Sequence, residues 1–196
     1  MYRVIGNVAS RTFRVLWMLE ELGAPYEHVN AGPRSDEVYA YNPLGKIPVL
    51  IDGETPITDS TAILTYLADK HGKLTAPAGT IERARQDAMT NRILDEFDAC
   101  LWSAARNSFI LPEDKRVPEI KETLKWEFAR SEAALARDMG EGSFLMGNEI
   151  SVPDIVLGHC LGWAIVAKFG ISEPALSAYL DRLKARSAYK NGRKSA

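Results

Sequence analysis

Cysteine is scarce in this chain: Cys100 and Cys160 are the only two among 196 residues. Each falls inside a helical pattern, so no disulfide framework is expected and a reducing, cytoplasmic setting is. Charge of one sign is lacking too. Lysine and arginine number 24 against 26 acidic residues, a net charge of −2, which offers no basic surface to nucleic acid or an anionic membrane. Histidine is limited to three. His28 and His71 sit on different elements, and His159 and Cys160, neighbours on one helix, are expected to point apart, so no metal site is expected. Met1 to Ile5 lacks a charged stretch followed by a long apolar core, and no secretory leader is expected. One apolar run, 150–169, approaches the length of a membrane span. It carries Pro153, Asp154, His159 and Lys168, which lipid would accept only at high cost, so it reads as a helix buried inside a soluble bundle.

What is present is ordinary globular composition, 46% hydrophobic and 26% charged, in a chain long enough to bury a core. Tyr2 to Ile5 reads as a strand ending at Gly6, followed by the loop Asn7-Val8-Ala9-Ser10 and a helix over 11–22. The apolar set of that helix, Phe13, Val15, Leu16, Trp17, Met18, Leu19 and Leu22, is too continuous for one buried face. It predicts cover by the sheet and by a second domain. Gly23 and Pro25 end it, and Tyr26 to Val29 is a second strand. Residues 31–41 hold one poor helix at most. From 42 to 67 the pattern sharpens. Asn42-Pro43-Leu44-Gly45 makes a turn, Pro48 leads an apolar strand through Ile51, and Ile47-Pro48 is a candidate cis bond. Asp52-Gly53-Glu54 is a hairpin returning through Thr58, and Ser60 is placed to cap a helix whose Ile63, Tyr66, Leu67 and Lys70 share a face.

Breakers and small residues over 71–80 form a linker, beyond which no strand pattern recurs. Helices are expected over 81–110, closed by Pro112; along the stripe Val117, Ile120, Leu124, Phe128 and Leu135; from Ser151; and over 174–185. Ser151-Val152-Pro153-Asp154 is a capping box with Ile150 and Ile155 as its staple, a folding element assigned no chemistry.

The run Lys46-Ile47-Pro48-Val49-Leu50, followed about a dozen residues later by Asp59-Ser60 opening a helix, resembles the thioredoxin-like domain of cytosolic glutathione transferases. The Ser-Arg-Thr-Phe-Arg-Val sequence at 10–15 looks like the site of the serine-type members (theta-, phi- or tau-like, or bacterial). The resemblance covers essentially the whole chain. It implies an α/β thioredoxin-like domain over 1–75, a linker over 76–80 and an all-helical domain over 81–196, with the site in a cleft between the domains. It also implies glutathione as co-substrate, a small electrophilic or hydroperoxide second substrate, a homodimer, and a detoxifying role. Neither nucleic acid nor membrane is an expected partner.

On the residues alone, Ser10 is a helix N-cap. The resemblance adds a hydroxyl bonded to the glutathione sulfur. A free thiol has a pKa of about 8.5, and a helix N-terminus plus a donated hydrogen bond favour its anion. The resemblance also implies that Ile47, before the proline, pairs its backbone with the cysteinyl part of glutathione, and that Asp59 and Ser60 hold the γ-glutamyl end. Many relatives carry Glu or Gln in the acid slot. Lys46 is either a solvated turn lysine or a contact to the glycyl carboxylate. Trp102 and Arg106, four apart on one helix, are either core packing with a surface charge or the wall of the electrophile pocket. The absence of a loop cysteine argues against protein-thiol exchange. Two alternatives stay open: a glutathione-dependent peroxidase or isomerase on the same site, and a non-catalytic binding or regulatory protein that keeps the fold.

Overall fold

The computed structural model describes residues 1–194 and begins with four short strands interleaved with helices. Strands β1 (Tyr2–Ile5), β2 (Tyr26–Val29), β3 (Val49–Asp52) and β4 (Thr55–Thr58) form one sheet in the order β2-β1-β3-β4. The β1–β2 pair is parallel and the other two pairs are antiparallel. Ile5, Val49 and Ile51 pack on one face with Ala31 and with Val38 of the short helix α2 (Asp36–Tyr39). Val4 and Leu50 point the opposite way by the two-residue period of a strand and are also fully buried. The sheet is therefore covered on both faces, the thioredoxin-like α/β arrangement expected from the sequence.

The chain divides into two compact units: Met1–Thr80 joined by the described residues from Leu183 onward, and Ile81–Arg182. In the first unit, helix α1 (Thr12–Leu22) is buried nearly all round. The sequence led us to expect a second domain as part of its cover. Its cover within this unit is helix α3 (Ser60–His71) and a C-terminal helix, α9 (Ser187–Lys194), that the pattern did not predict. Tyr189 meets both Phe13 and Trp17 edge-on, with ring centres 4.9 Å apart in each case. The Arg193 guanidinium lies 3.9 Å from the Phe13 ring centre. Arg186 closes the seam with a bidentate pair to Glu21, at 2.6 and 2.7 Å. Gly192 lets the helices approach, because a Cβ there would stand 3.0 Å from the Trp17 backbone nitrogen. The buried face of α3 is Ile63, Leu64, Leu67 and Ala68. Tyr66 and Lys70, expected on that face, lie at its edge, and both donate to Asp52.

The second unit is helical. The helix expected over 81–110 is α4 (Ile81–Ile93), a wider π turn (Leu94–Asp98), α5 (Ala99–Ala105) and a second π turn (Arg106–Ile110). Helix α6 (Ile120–Asp138) buries Leu124, Phe128 and Leu135, while Val117 and Ile120 of the predicted stripe are exposed. Helices α7 (Val152–Val166) and α8 (Pro174–Ala185) follow. The capping box forms as read from the sequence. Fully buried Asp154 accepts from the Ser151 N–H at 2.7 Å, the Leu145 N–H at 2.8 Å, the Ser151 hydroxyl and the Tyr179 hydroxyl, so one carboxylate fastens three segments. No described helix is long and apolar enough to cross a membrane.

Two stability effects are expected. Gly192→Leu forces side-chain atoms into the α1 backbone and is expected to cost about 1–3 kcal/mol in chemical denaturation, as overpacking does. The second concerns Glu132 on α6, which accepts from the Ser172 N–H at 3.0 Å and the Ser172 hydroxyl at 2.5 Å. Burial pushes its carboxyl above the ordinary range, with the Ser172 bonds offsetting part of the effect. The fold therefore holds this proton to higher pH than the unfolded chain does. The associated stability is complete below the unfolded value of about 4.3 and is lost as pH rises through the folded one. Urea midpoints of wild type and Glu132→Gln across that range are expected to diverge in favour of the variant as pH increases; parallel curves would contradict the assignment.

Candidate functional site

Strand register brings three loops to one end of the sheet. Ile5 pairs with Val49, and Val49 pairs with Thr58, so the next residues outward, Gly6, Pro48 and Asp59, leave the sheet side by side. The Ile47-Pro48 bond is cis. Gly6 has φ +143°, and a Cβ there would lie 2.1 Å from Thr12 Oγ1 and 3.1 Å from the Ile47 Cβ. The glycine thus permits the β1–α1 loop, the start of α1 and Ile47 to close on one another. His28 on β2 donates through Nε2 to the Gly6 carbonyl at 2.7 Å and holds that corner.

Ser10 is half-buried one residue ahead of the helix cap position. Its hydroxyl oxygen accepts the Thr12 N–H at 3.1 Å, so it serves the helix start as expected of a capping serine, although the formal cap residue is Arg11. Its proton is directed at the Asn7 carbonyl, 2.7 Å away, with Thr12 Oγ1 at 2.9 Å. The Asn7 carbonyl also accepts the Ser10 N–H. The hydroxyl can therefore turn to another acceptor without leaving that carbonyl unsatisfied.

At the second helix start, the cap is Asp59 and not Ser60 as the sequence suggested. Asp59 Oδ1 accepts the N–H groups of Thr61 at 2.9 Å and Ala62 at 3.0 Å. Its backbone, at φ 70° and ψ 122°, occupies a sparsely populated region of the kind that clusters at ligand sites. Ser60 is buried, and its hydroxyl accepts from Nη1 of Arg14 at 3.3 Å. Arg14 is fully buried on α1 and joins the two helix starts. It was missed from the sequence, where a lone arginine inside an unbroken apolar run was the available signal.

Lys46 is exposed, and its carbonyl accepts from Asn42 Nδ2 at 2.9 Å. An open groove of about 680 Å3 runs from Asp59 along the outer side of α3 past Thr65 and Lys70. Neither Ser10 nor Pro48 lines it, so it marks the helix flank and not the loop cluster. The gathered set is Ser10, Ile47, Pro48, Asp59 and Ser60, at the positive ends of two helices where backbone N–H groups favour an anion.

Trp102 on α5 is half-buried and Arg106, opening the second π turn, is exposed; both belong to the helical unit. Cys100 and Cys160 are free and buried, and burial beside Glu127 raises the Cys100 thiol to about 11. The expectation that His159 and Cys160 point apart is corrected by the structure. Their ligand atoms and a carboxylate oxygen of Asp98 all lie within 4.8 Å of one another.

Comparison with known proteins agrees with this geometry. Residues 9–77 match the family described as glutathione S-transferase, N-terminal domain. The chain is 29% identical over 157 residues to a zeta-class glutathione S-transferase of Euphorbia esula, covering 76% of this chain and 69% of that protein. It is 27% identical over 203 residues to glutathione S-transferase F10 of Arabidopsis thaliana, covering 90% and 89%. A glutathione transferase structure from Methylococcus capsulatus superposes with a TM-score of 0.85 at 26% identity, covering 99% of this chain and 98% of that one. A transferase-family structure from Pseudomonas fluorescens with two glutathione bound gives 0.83 at 24% identity, covering 98% and 92%. With a matched N-terminal domain, relatives along most of its length and the same fold throughout, the chain belongs to the cytosolic glutathione transferase superfamily.

Proposed function

We propose that the protein is a serine-type glutathione transferase that joins the glutathione sulfur to small electrophiles. The observation that carries this is the convergence of the Ser10 hydroxyl, the Ile47 backbone before cis-Pro48 and the Asp59-Ser60 helix start at one end of the sheet. Asp59 Oδ2 makes no hydrogen bond among the described residues and takes the glutathione ammonium. Ser60 and the first turn of α3 take the adjoining carboxylate. The Ile47 N–H and C=O pair with the cysteinyl segment, and Lys46 meets the glycyl carboxylate. The thiol gives up its proton to solvent, and the Ser10 hydroxyl swings from Asn7 to the thiolate. The sulfur lone pair then forms the bond to the electrophilic carbon, and the displaced group leaves with its electron pair. The family resemblance assigns the co-substrate contacts to Trp102 and Arg106. It also assigns homodimer assembly, a cytoplasmic location and a detoxifying role. Assay of glutathione turnover against electrophiles and hydroperoxides separates conjugation from peroxidase chemistry, and from a binding protein that turns over neither.

Asp59 and Ser10 each have a structural task, so informative variants keep that task. Asparagine caps a helix as well as aspartate does. Asp59→Asn is therefore expected to leave the ligand-free unfolding midpoint near wild type while removing most of the stabilisation given by glutathione. In the wild type that stabilisation is about 2.7 kcal/mol at a hundredfold excess over Kd; no shift in the wild type at millimolar glutathione would sink the assignment. For Ser10, thiolate absorbance of bound glutathione is titrated in wild type, Ser10→Thr and Ser10→Ala. Ser10→Ala is expected to raise the thiol pKa, each unit being about 1.36 kcal/mol, and to lower turnover near neutral pH. If all three titrate and turn over alike, the hydroxyl is a cap and nothing more.

A further inference from the structure

We infer that Asp98, His159 and Cys160 form a buried zinc site that fastens two helices of the helical unit together. The three ligand atoms lie within 4.8 Å of one another, and all three residues are at least nine-tenths buried. Cys160 Sγ stands 3.8 Å from Asp98 Oδ2. A tetrahedral zinc with bonds of about 2.0–2.3 Å separates such ligands by about 3.4–3.6 Å, so small side-chain rotations complete the geometry.

Backbone geometry accounts for the meeting. Asp98 closes the π turn Leu94–Asp98, in which the Ala99 N–H reaches back five residues to the Leu94 carbonyl. This widened turn packs on α7, and such insertions re-aim a side chain where a regular helix would carry it past. Adjacent residues on α7 diverge at their Cα atoms, yet a ring nitrogen of His159 and the Cys160 sulfur both come within 4.8 Å of an Asp98 carboxylate oxygen. Trp163, one turn on, lies against the His159 ring with centres 6.0 Å apart.

The donor set selects the ion. One sulfur, one imidazole nitrogen and one carboxylate oxygen suit zinc, whereas calcium and magnesium require shells built of oxygen. Charge balances as well: thiolate and carboxylate together carry two negative charges, which a divalent cation neutralises inside an apolar bundle. The binding step is Zn2+ plus the protonated thiol giving the zinc thiolate and one released proton. Three protein ligands leave a fourth position for water. The site is separate from the glutathione-binding loops, which belong to the other unit, and it stands or falls independently of transferase activity.

The test uses the full chain. Because the ligands are buried, protein is produced with zinc or cobalt in the medium and dialysed against a weak chelator. Elemental analysis is expected to find about one zinc per chain, as for a single site of three protein ligands and a water, falling to background in Asp98→Asn and Cys160→Ser. Cobalt-loaded protein is expected to show a thiolate-to-metal charge-transfer band. Cys100→Ser leaves Cys160 as the single thiol, so the band persisting in that variant assigns the sulfur ligand even if Cys160→Ser fails to fold. Wild type that retains neither metal overturns the site, as does a band that disappears in Cys100→Ser or survives in Cys160→Ser.

Discussion

The pairing of Ile5 with Val49 and of Val49 with Thr58 is the constraint on which the proposed site depends. A β-ladder fixes register because a slip of one residue would turn every buried side chain of these strands to the wrong face. Val4, Val49 and Leu50 have no exposure to give up. With register fixed, the exits of β1 and β4 and the entry to β3 must share one end of the sheet. Both exits lead into helices, that of β1 through the loop ending at Arg11 and that of β4 through Asp59 alone. The sheet core thus sets the distance between two helix N-termini and an intervening proline turn, and any ligand chemistry there inherits its precision from apolar packing some residues away. Gly6 is the tolerance in this assembly: with any Cβ at that position, the loop could not close on Thr12 and Ile47.

Most of this was legible in the sequence because it is written in local code. Two-residue alternation, a Gly-containing hairpin, a capping box and a proline at a strand mouth each constrain neighbouring residues only. The strands fell within a residue of where their patterns placed them, and the hairpin read over 52–54 joins β3 to β4. What escaped depends on partners distant in sequence. Helix α9 has little apolar content of its own, and its contribution lies in Tyr189, Gly192 and Arg193 meeting α1, more than 160 residues away in sequence. The continuous apolar surface of α1 did signal a missing cover; the identity of that cover was not a local property. Likewise the π turn that aims Asp98 has no distinctive residue pattern, and without it the neighbours His159 and Cys160 read as divergent.

Asp59 illustrates how fold and proposed chemistry compete for one residue. Thr58 is the last residue of β4 and Ser60 the first of α3, so a single residue must turn the chain from strand to helix. That demands a positive φ, which aspartate and asparagine tolerate better than other non-glycine residues. The same residue must supply an oxygen to the free N–H groups of the first turn, and the short side chain of aspartate does so where the longer glutamate is a poor cap. One oxygen is consumed by Thr61 and Ala62. The other is the one the proposed function gives to a ligand ammonium, and its position is fixed by the cap, since rotating the carboxylate outward would release two helix donors. A glutamate in this slot would reach toward its ligand at the expense of the cap. Here the carboxylate is held in place, so under the proposed function the γ-glutamyl end of glutathione has to come to it, and the helix start itself becomes the element that sets how deeply the peptide would sit.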